Sequence, residues 1–210
     1  MHHITAADIH GFEKVFRLNF VNGLPGFKSA NLVGTAAADG FPNLAIFSSV
    51  IHLGSDPPLL GMVTRPTTVP RHTYQNLKDS GCYTLNHVPT AKLAAAHYTS
   101  ADFPPGVSEF GTCGFTPEYH DGFAAPYVAE SAVSIGLRFL EEHAISNGTV
   151  LIVGTIEHVY LPAAGLRDDG TLDLVSMGTA AISGLDGYHV VEPPVRFGYA
   201  RVGQPPVALK

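Results

Sequence analysis

The chain has no tryptophan and only two cysteines, Cys82 and Cys113, in 210 residues. Two thiols permit one bridge at most, which excludes a disulfide-stapled scaffold and a four-cysteine zinc site. Charge is also sparse: Asp, Glu, Lys and Arg make up 14% of the residues, against roughly 25% in a typical soluble domain. Hydrophobic residues reach 45%, so the chain is not disordered, a state that needs low hydrophobicity and high net charge. The low charge also fits a surface that a partner subunit covers in part. A formal net charge of −6 lacks the basic face of a general nucleic-acid binder. No apolar run approaches the ~18 residues that span a bilayer. The opening MHHITAADIHGFEKVF has no apolar core followed by a small-residue cleavage site. The expectation is a cytoplasmic protein with neither a nucleic-acid nor a membrane partner.

Chemical motifs are missing too. None of the eleven histidines pairs at the i, i+2 or i, i+4 spacing of metal sites, so no metal is expected. There is no GxSxG nucleophile elbow and no glycine-rich dinucleotide or phosphate loop. What the chain does hold is 22 glycines and 16 prolines, too scattered for collagen or a low-complexity linker and too many for a helical bundle.

Periodicity supplies the elements. Residues 5–20 begin at Thr5, a suitable cap, and place Ile9, Phe12, Phe16 and Phe20 at spacings of three and four, the mark of an amphipathic helix. Asn31 to Ala37, the turn Asp39-Gly40 and the run Asn43 to Leu53 predict a hairpin. Leu59 to Thr64 continues as a strand, residues 70–80 as a helix with Pro70 in its first turn and Gly81 as its stop, and 82–88 as another strand. Lys92 to Tyr98 reads as a short helix, and 100–130 as a long excursion without a clean period. Val133, Ile135, Leu137 and Phe139 alternate with small or polar residues, giving a strand with one buried face. Val150 to Val159, after the turn Asn147-Gly148, is apolar on both sides. Leu172 to Val175 suggests a last strand, and Gly184 to Phe197 a loop or edge with Tyr188 and His189. Six or seven strands without regular helix alternation favour an antiparallel closed barrel with helical insertions.

Two stretches could carry chemistry. In TRPTTVPRHTYQN, Arg65 closes a strand, Thr67 and Thr68 sit where a helix cap would be, and Arg71, His72 and Thr73 fall in the first helical turn. The helix dipole makes that turn costly for cations. A phosphate would satisfy the free amides, the hydroxyls and a bidentate arginine together; the alternative is solvated surface with a threonine cap. In NLAIFSSV, Ser48 and Ser49 face opposite sides of a strand, so one points inward or toward a ligand. Asn43 carries the same ambiguity. Cys82 reads as inert core. Cys113, in Gly111-Thr112-Cys113-Gly114, is a bystander or a reactive thiol.

The order of these pieces resembles the flavin reductase-like, FMN-binding split-barrel family, closest to its flavoredoxin-like members. The hairpin with Asp39-Gly40, NLAIFSSV, SDPPLLGMVTRP, the helix RHTYQNLKDSG and the strand CYTLNHV carry the likeness. It is strong over 30–100 and consistent over 130–160. The resemblance implies a mainly β fold, a six-stranded antiparallel Greek-key split β-barrel with short helical insertions. The chain would be one domain, 1–210, with its core at about 25–160 and a C-terminal extension at 161–210. It implies a homodimer with one FMN per subunit near the interface. It lays the backbone of the strand matching residues 45–50, with Ile46, Phe47, Ser48, Ser49 and Val50, along the isoalloxazine, Ile46 or Phe47 serving as an apolar wall. Arg65 to Thr73 would hold the phosphate. NADH or NADPH would be the donor and a small molecule the acceptor, or the protein would serve as an electron carrier, a ferric-complex reductase or a non-catalytic flavin-binding barrel. Where monooxygenase-partner reductases carry Gly-Asp-His, this chain reads Asn147-Gly148-Thr149.

Overall fold

A computed structural model describes every residue except Pro105, Asp121 and Lys210. Seven antiparallel strands form the main sheet: β1 (Asn31–Ala36), β2 (Pro42–Phe47), β3 (Val50–Ser55), β4 (Pro58–Thr64), β5 (Cys82–His87), β6 (Ser134–Ala144) and β7 (Val150–Tyr160). Their order across the sheet is β2-β1-β5-β6-β7-β4-β3. The expected hairpin is β1–β2, in register from Asn31 opposite Phe47 to Ala36 opposite Pro42. Its turn closes as the Asp-Gly pair dictates: the Phe41 amide donates to Asp39 Oδ1 at 3.0 Å, and Gly40 takes a positive φ of 85°.

The expected six-stranded closed barrel requires correction. The run Asn43 to Leu53 is two strands, because Ser48 and Ser49 break it. The resulting strands, β2 and β3, are the two outer edges of the sheet. Consecutive in the chain yet opposite in the sheet, they force it to roll until its edges meet at the serine corner. No ladder joins them among the described residues, so the sheet is open along that seam.

β1 is buried along its whole length, because each face packs on a different core. Val33 joins Met62, Leu77, Tyr83, Leu85, Leu137 and Ile152 on one side. Leu32 joins Leu44, Val88, Ala96, Phe110 and Phe115 on the other. A side chain at Gly34 would meet the Pro126 carbonyl oxygen and Thr84 Oγ1, so the chain crosses there only without a Cβ.

The described residues form five α-helices, α1 (Ala6–Gly11), α2 (Lys14–Gly23), α3 (His72–Ser80), α4 (Leu93–Tyr98) and α5 (Glu109–Cys113), of which α3 and α5 pack on the hairpin β1–β2. The predicted helix over 5–20 is therefore two. Thr5 and Asp8 cap the first as a capping box, and Phe12 leaves helical geometry at its end with ψ 142°. α3 starts at His72, two residues beyond Pro70, and stops at Gly81 in the left-handed conformation. Leu172 to Val175 forms no strand, only an isolated bridge from Leu172 to Leu166. Lys28–Ser29 pairs instead with Ala181–Ser183, and that with Gly187–His189, in a second small sheet. β7 is buried at Ile152, Val153 and Gly154, but Glu157 and Val159 face solvent, so only part of it is enclosed on both sides. No described helix is long and apolar enough to cross a membrane, and no described group of side chains could hold a metal ion.

Candidate functional site

The start of α3 is chemically unfinished. Its cap position is Arg71, with extended backbone and no side-chain cap bond, and its first turn holds no acid. The first helical bond runs from the Gln75 amide to the Arg71 carbonyl at 2.9 Å. The amides of His72, Thr73 and Tyr74 therefore find no acceptor among the described residues. Thr67 and Thr68, the expected caps, are exposed in the preceding turn and cap nothing. Arg65 is exposed beside them. Arg71 Nε reaches the Pro66 carbonyl at a long 3.4 Å, leaving the two terminal nitrogens of its guanidinium uncommitted among the described residues. From Arg65 to Arg71 the sequence RPTTVPR contains two cations, two hydroxyls and no acid. This donor set suits a dianionic phosphate, which would accept from the amides and pair with the arginine.

The segment is pinned to β2 and its corner at both ends. Downstream, Asn43 Nδ2 donates to Thr73 Oγ1 at 3.1 Å and to Thr35 Oγ1 at 3.3 Å, and Asn76 Nδ2 donates to the same Thr35 oxygen at 3.2 Å. All four side chains are buried, so Asn43 and Thr73 hold the helix start against the hairpin. Upstream, Ser49 Oγ donates to the Val63 carbonyl at 2.8 Å and accepts from the Val63 amide at 3.2 Å. Ser49 is thus the serine satisfied within the fold. Ser48 is half-buried and makes no hydrogen bond among the described residues.

β2 itself offers an open backbone edge. The Leu44 amide points away from β1, because it donates to Glu109 Oε2 at 3.0 Å. Side-to-side alternation in a strand sends the Ile46 amide the same way, where no acceptor meets it among the described residues. Ile46 and Phe47 divide between the two cores, Ile46 packing with the Leu44 cluster and Phe47 and Val50 with the Val33 cluster. All three remain half-buried. A flat heterocycle could therefore lie against this edge, with Ile46 supplying a donor and the corner supplying apolar surface.

Several neighbours had no local signal. Ser29 Oγ donates to the Val50 carbonyl at 3.3 Å. The ladder from Ser29 to Ala181 then carries the hairpin of Tyr188 and His189 to the same side of the corner. There Ser183 Oγ and His189 Nε2 are 2.8 Å apart, and Phe27 packs edge-on to His189 at 4.7 Å. Burial, with the Asp186 charge second, pushes the Tyr188 phenol up to about 12. Glu109 is the other silent residue, since only folding brings it to Leu44. It also lines a cleft of about 280 Å³ with Asn43, His72, Asn76 and Phe41. The turn Asn147-Gly148-Thr149 lies against the 65–71 segment, Gly148 facing Pro66.

The thiols are not part of this site. Cys82 and Cys113 are both buried and free. Burial first, and the Glu109 charge second, push the Cys113 thiol up to about 11, so it is a bystander rather than a nucleophile.

Residues 24–175 match the family model described as "Flavin reductase like domain". A crystal structure of a putative flavin reductase with a split-barrel domain from Shewanella frigidimarina is similar over 95% of this chain and all of that one, with 43% identity and a TM-score of 0.91. Flavoredoxin of Desulfovibrio vulgaris overlays on 85% of this chain and 92% of its own, with a TM-score of 0.69. At 24% identity it speaks for the fold alone. A protein of Aquifex aeolicus described as uncharacterized is 32% identical over 104 residues, 49% of this chain and 53% of that protein. The match thus spans about half the length of that curated relative.

Proposed function

The chain belongs to the flavin reductase-like domain family, and from that premise we propose that it binds FMN and passes electrons from NADH or NADPH through it to a small acceptor. The observation that carries the reading is the uncapped start of α3, which follows directly on a stretch with Arg65, Arg71, two hydroxyls and no acid, and whose first three amides have no acceptor among the described residues. Such a site prefers the phosphate of a mononucleotide over the neutral ribityl end of riboflavin.

Bound FMN would supply a ring that takes up a hydride or two electrons and releases them singly or together. The chain's own work is to hold and tune that ring. The Ile46 amide, aimed at the open edge of β2, would donate to an electronegative ring atom and favour the charge that reduction places there. Phe47 and Val50 would keep water from one face, and the Ser49–Val63 exchange would fix the corner they sit on. A homodimer, with the cofactor near the contact between copies, belongs to the same proposal. So do the cytoplasmic location and the small acceptor.

A second reading rests on the turn facing Pro66. Asn147-Gly148-Thr149 offers no imidazole there, which favours an electron carrier filled by another reductase. Anaerobic spectra of the FMN-loaded protein separate the two. Rapid bleaching of the flavin bands by NADH or NADPH is the expected result for the reductase. Bands that persist with both nucleotides, yet bleach with dithionite, would leave the carrier. A protein that takes up no FMN would end both readings.

A further inference from the structure

Both termini lie outside the stretch that matches the family, residues 24–175, and both are built in a way the rest of the chain is not. Neither α1 nor α2 buries a single residue. Yet α2 is apolar on two sides. Phe16 and Phe20 lie along one, stacked on each other at 6.4 Å and meeting Phe12 edge-on at 4.7 and 5.4 Å. Val15, Leu18 and Val21 lie along the other, 61%, 44% and 44% exposed. A helix that is apolar around most of its circumference is normally enclosed, and a ten-residue helix standing free in water is marginal.

The C-terminal segment repeats the anomaly. Residues 190–209 fold back on themselves, the Gly198 amide donating to the Val207 carbonyl at 3.0 Å and the Leu209 amide to the Arg196 carbonyl at 2.8 Å. An ion pair from Arg196 to Asp169 ties the ribbon to the body. Its apolar side chains nevertheless stand in solvent, with Tyr199 at 91% and Val202 at 107% exposure. An isolated two-stranded ribbon is barely stable in water. Of the 28 large apolar side chains that the described residues expose, 12 lie in these two terminal segments, eight of them in the C-terminal ribbon alone.

The surface area states the same in quantity. The chain exposes 12459 Å², whereas a compact monomer of this mass exposes about 9,400 Å². The surplus, about 3,000 Å², is on the scale of what obligate homodimers bury. We propose that α1–α2 and the 190–209 ribbon are clamping arms that pack onto a second copy of this chain. A second copy is the occupant because two arms on each of two chains supply an interface of obligate size without any other partner. β3 adds to it: an edge strand with Ile51 and Leu53 exposed, it presents an uncovered apolar edge beside the serine corner. The inference rests on the homodimer of the proposed function and adds which segments hold it together.

Sedimentation velocity of the full-length protein, from 0.1 to 100 µM, tests it with two double variants, F16D/V21D and Y199D/V202D. The wild type is expected to be dimeric at low micromolar concentration, and each variant to raise the dimer dissociation constant at least 100-fold. Far-UV circular dichroism is expected to stay unchanged, because every substituted side chain is exposed in the single chain. The milder pair F16A/V21A, which keeps helix propensity, is expected to weaken the dimer at least 10-fold if the aspartates disturb α2 itself. A wild type that remains monomeric at 100 µM would overturn both the arms and the dimer. A dimer that all three variants leave intact would overturn the arms alone. FMN uptake, measured on the same samples, reports separately on the cofactor reading.

Discussion

The Ser49 hydroxyl exchanges two hydrogen bonds with the backbone of Val63, donating to its carbonyl at 2.8 Å and accepting from its amide at 3.2 Å. One side chain there continues the β3–β4 ladder a step past the Val50–Met62 pair, at the corner where the chain passes from β2 to β3. Ser49→Ala should cost about 1–3 kcal/mol of stability, the range for leaving buried polar groups unpaired. Urea unfolding monitored by circular dichroism measures it. A change within a few tenths of a kcal/mol would mean that water replaces the hydroxyl at no cost and that the corner needs no such bond.

Arg71→Ala should weaken FMN binding by about 1.5–3 kcal/mol, the range for hydrogen bonds to charged groups. Riboflavin, which lacks the phosphate, should bind wild type and variant alike. Parallel fluorescence titrations with the two flavins provide the comparison. Equal losses for both would give Arg71 a structural role through its Pro66 contact instead.

Gly34→Ala places a methyl group against the Pro126 carbonyl and Thr84 Oγ1. Because one of those atoms belongs to the backbone, relief requires β1 to move. A loss of about 2–3 kcal/mol is expected, the upper part of the overpacking range, and thermal denaturation reads it directly.

Burial pushes the His87 imidazole down to about 4, while an unfolded chain titrates it near ~6.5. Between those values the unfolded state binds a proton that the folded state does not. Stability from this residue is therefore present above pH 6.5 and declines as pH falls toward 4, by about 3 kcal/mol. His87→Gln, unfolded in urea at a series of pH values, should flatten that part of the profile. A variant with the wild-type slope would assign the acid sensitivity to other groups.

Local chemistry made much of this readable in one dimension. The Asp39-Gly40 hairpin, the Gly81 stop and the acid-free RPTTVPR segment each follow from residues a few positions apart, because turns and caps depend on near neighbours, whereas β6 is buried on both faces at Ser134, Gly136 and Leu137. The likeness over 30–100 extended that reading to a family and a cofactor class. Hydropathy alone could not show that Ser48 and Ser49 divide a run into two strands, since the break is where the chain passes from one edge of the rolled sheet to the other. Nor could it show that Asn43 and Thr73, 30 positions apart, occupy each other.

The amino-acid order by itself determined the strand-rich class and the basic helix start, since these depend on residue type and short spacing. The tertiary structure alone decided which polar groups stay open. Glu109 closes the Leu44 amide while the Ile46 amide remains free, and the terminal aromatics and valines find no cover on their own body. Whether a donor or an apolar surface is satisfied depends on what the folded chain brings within a few ångströms, and linear distance does not encode that.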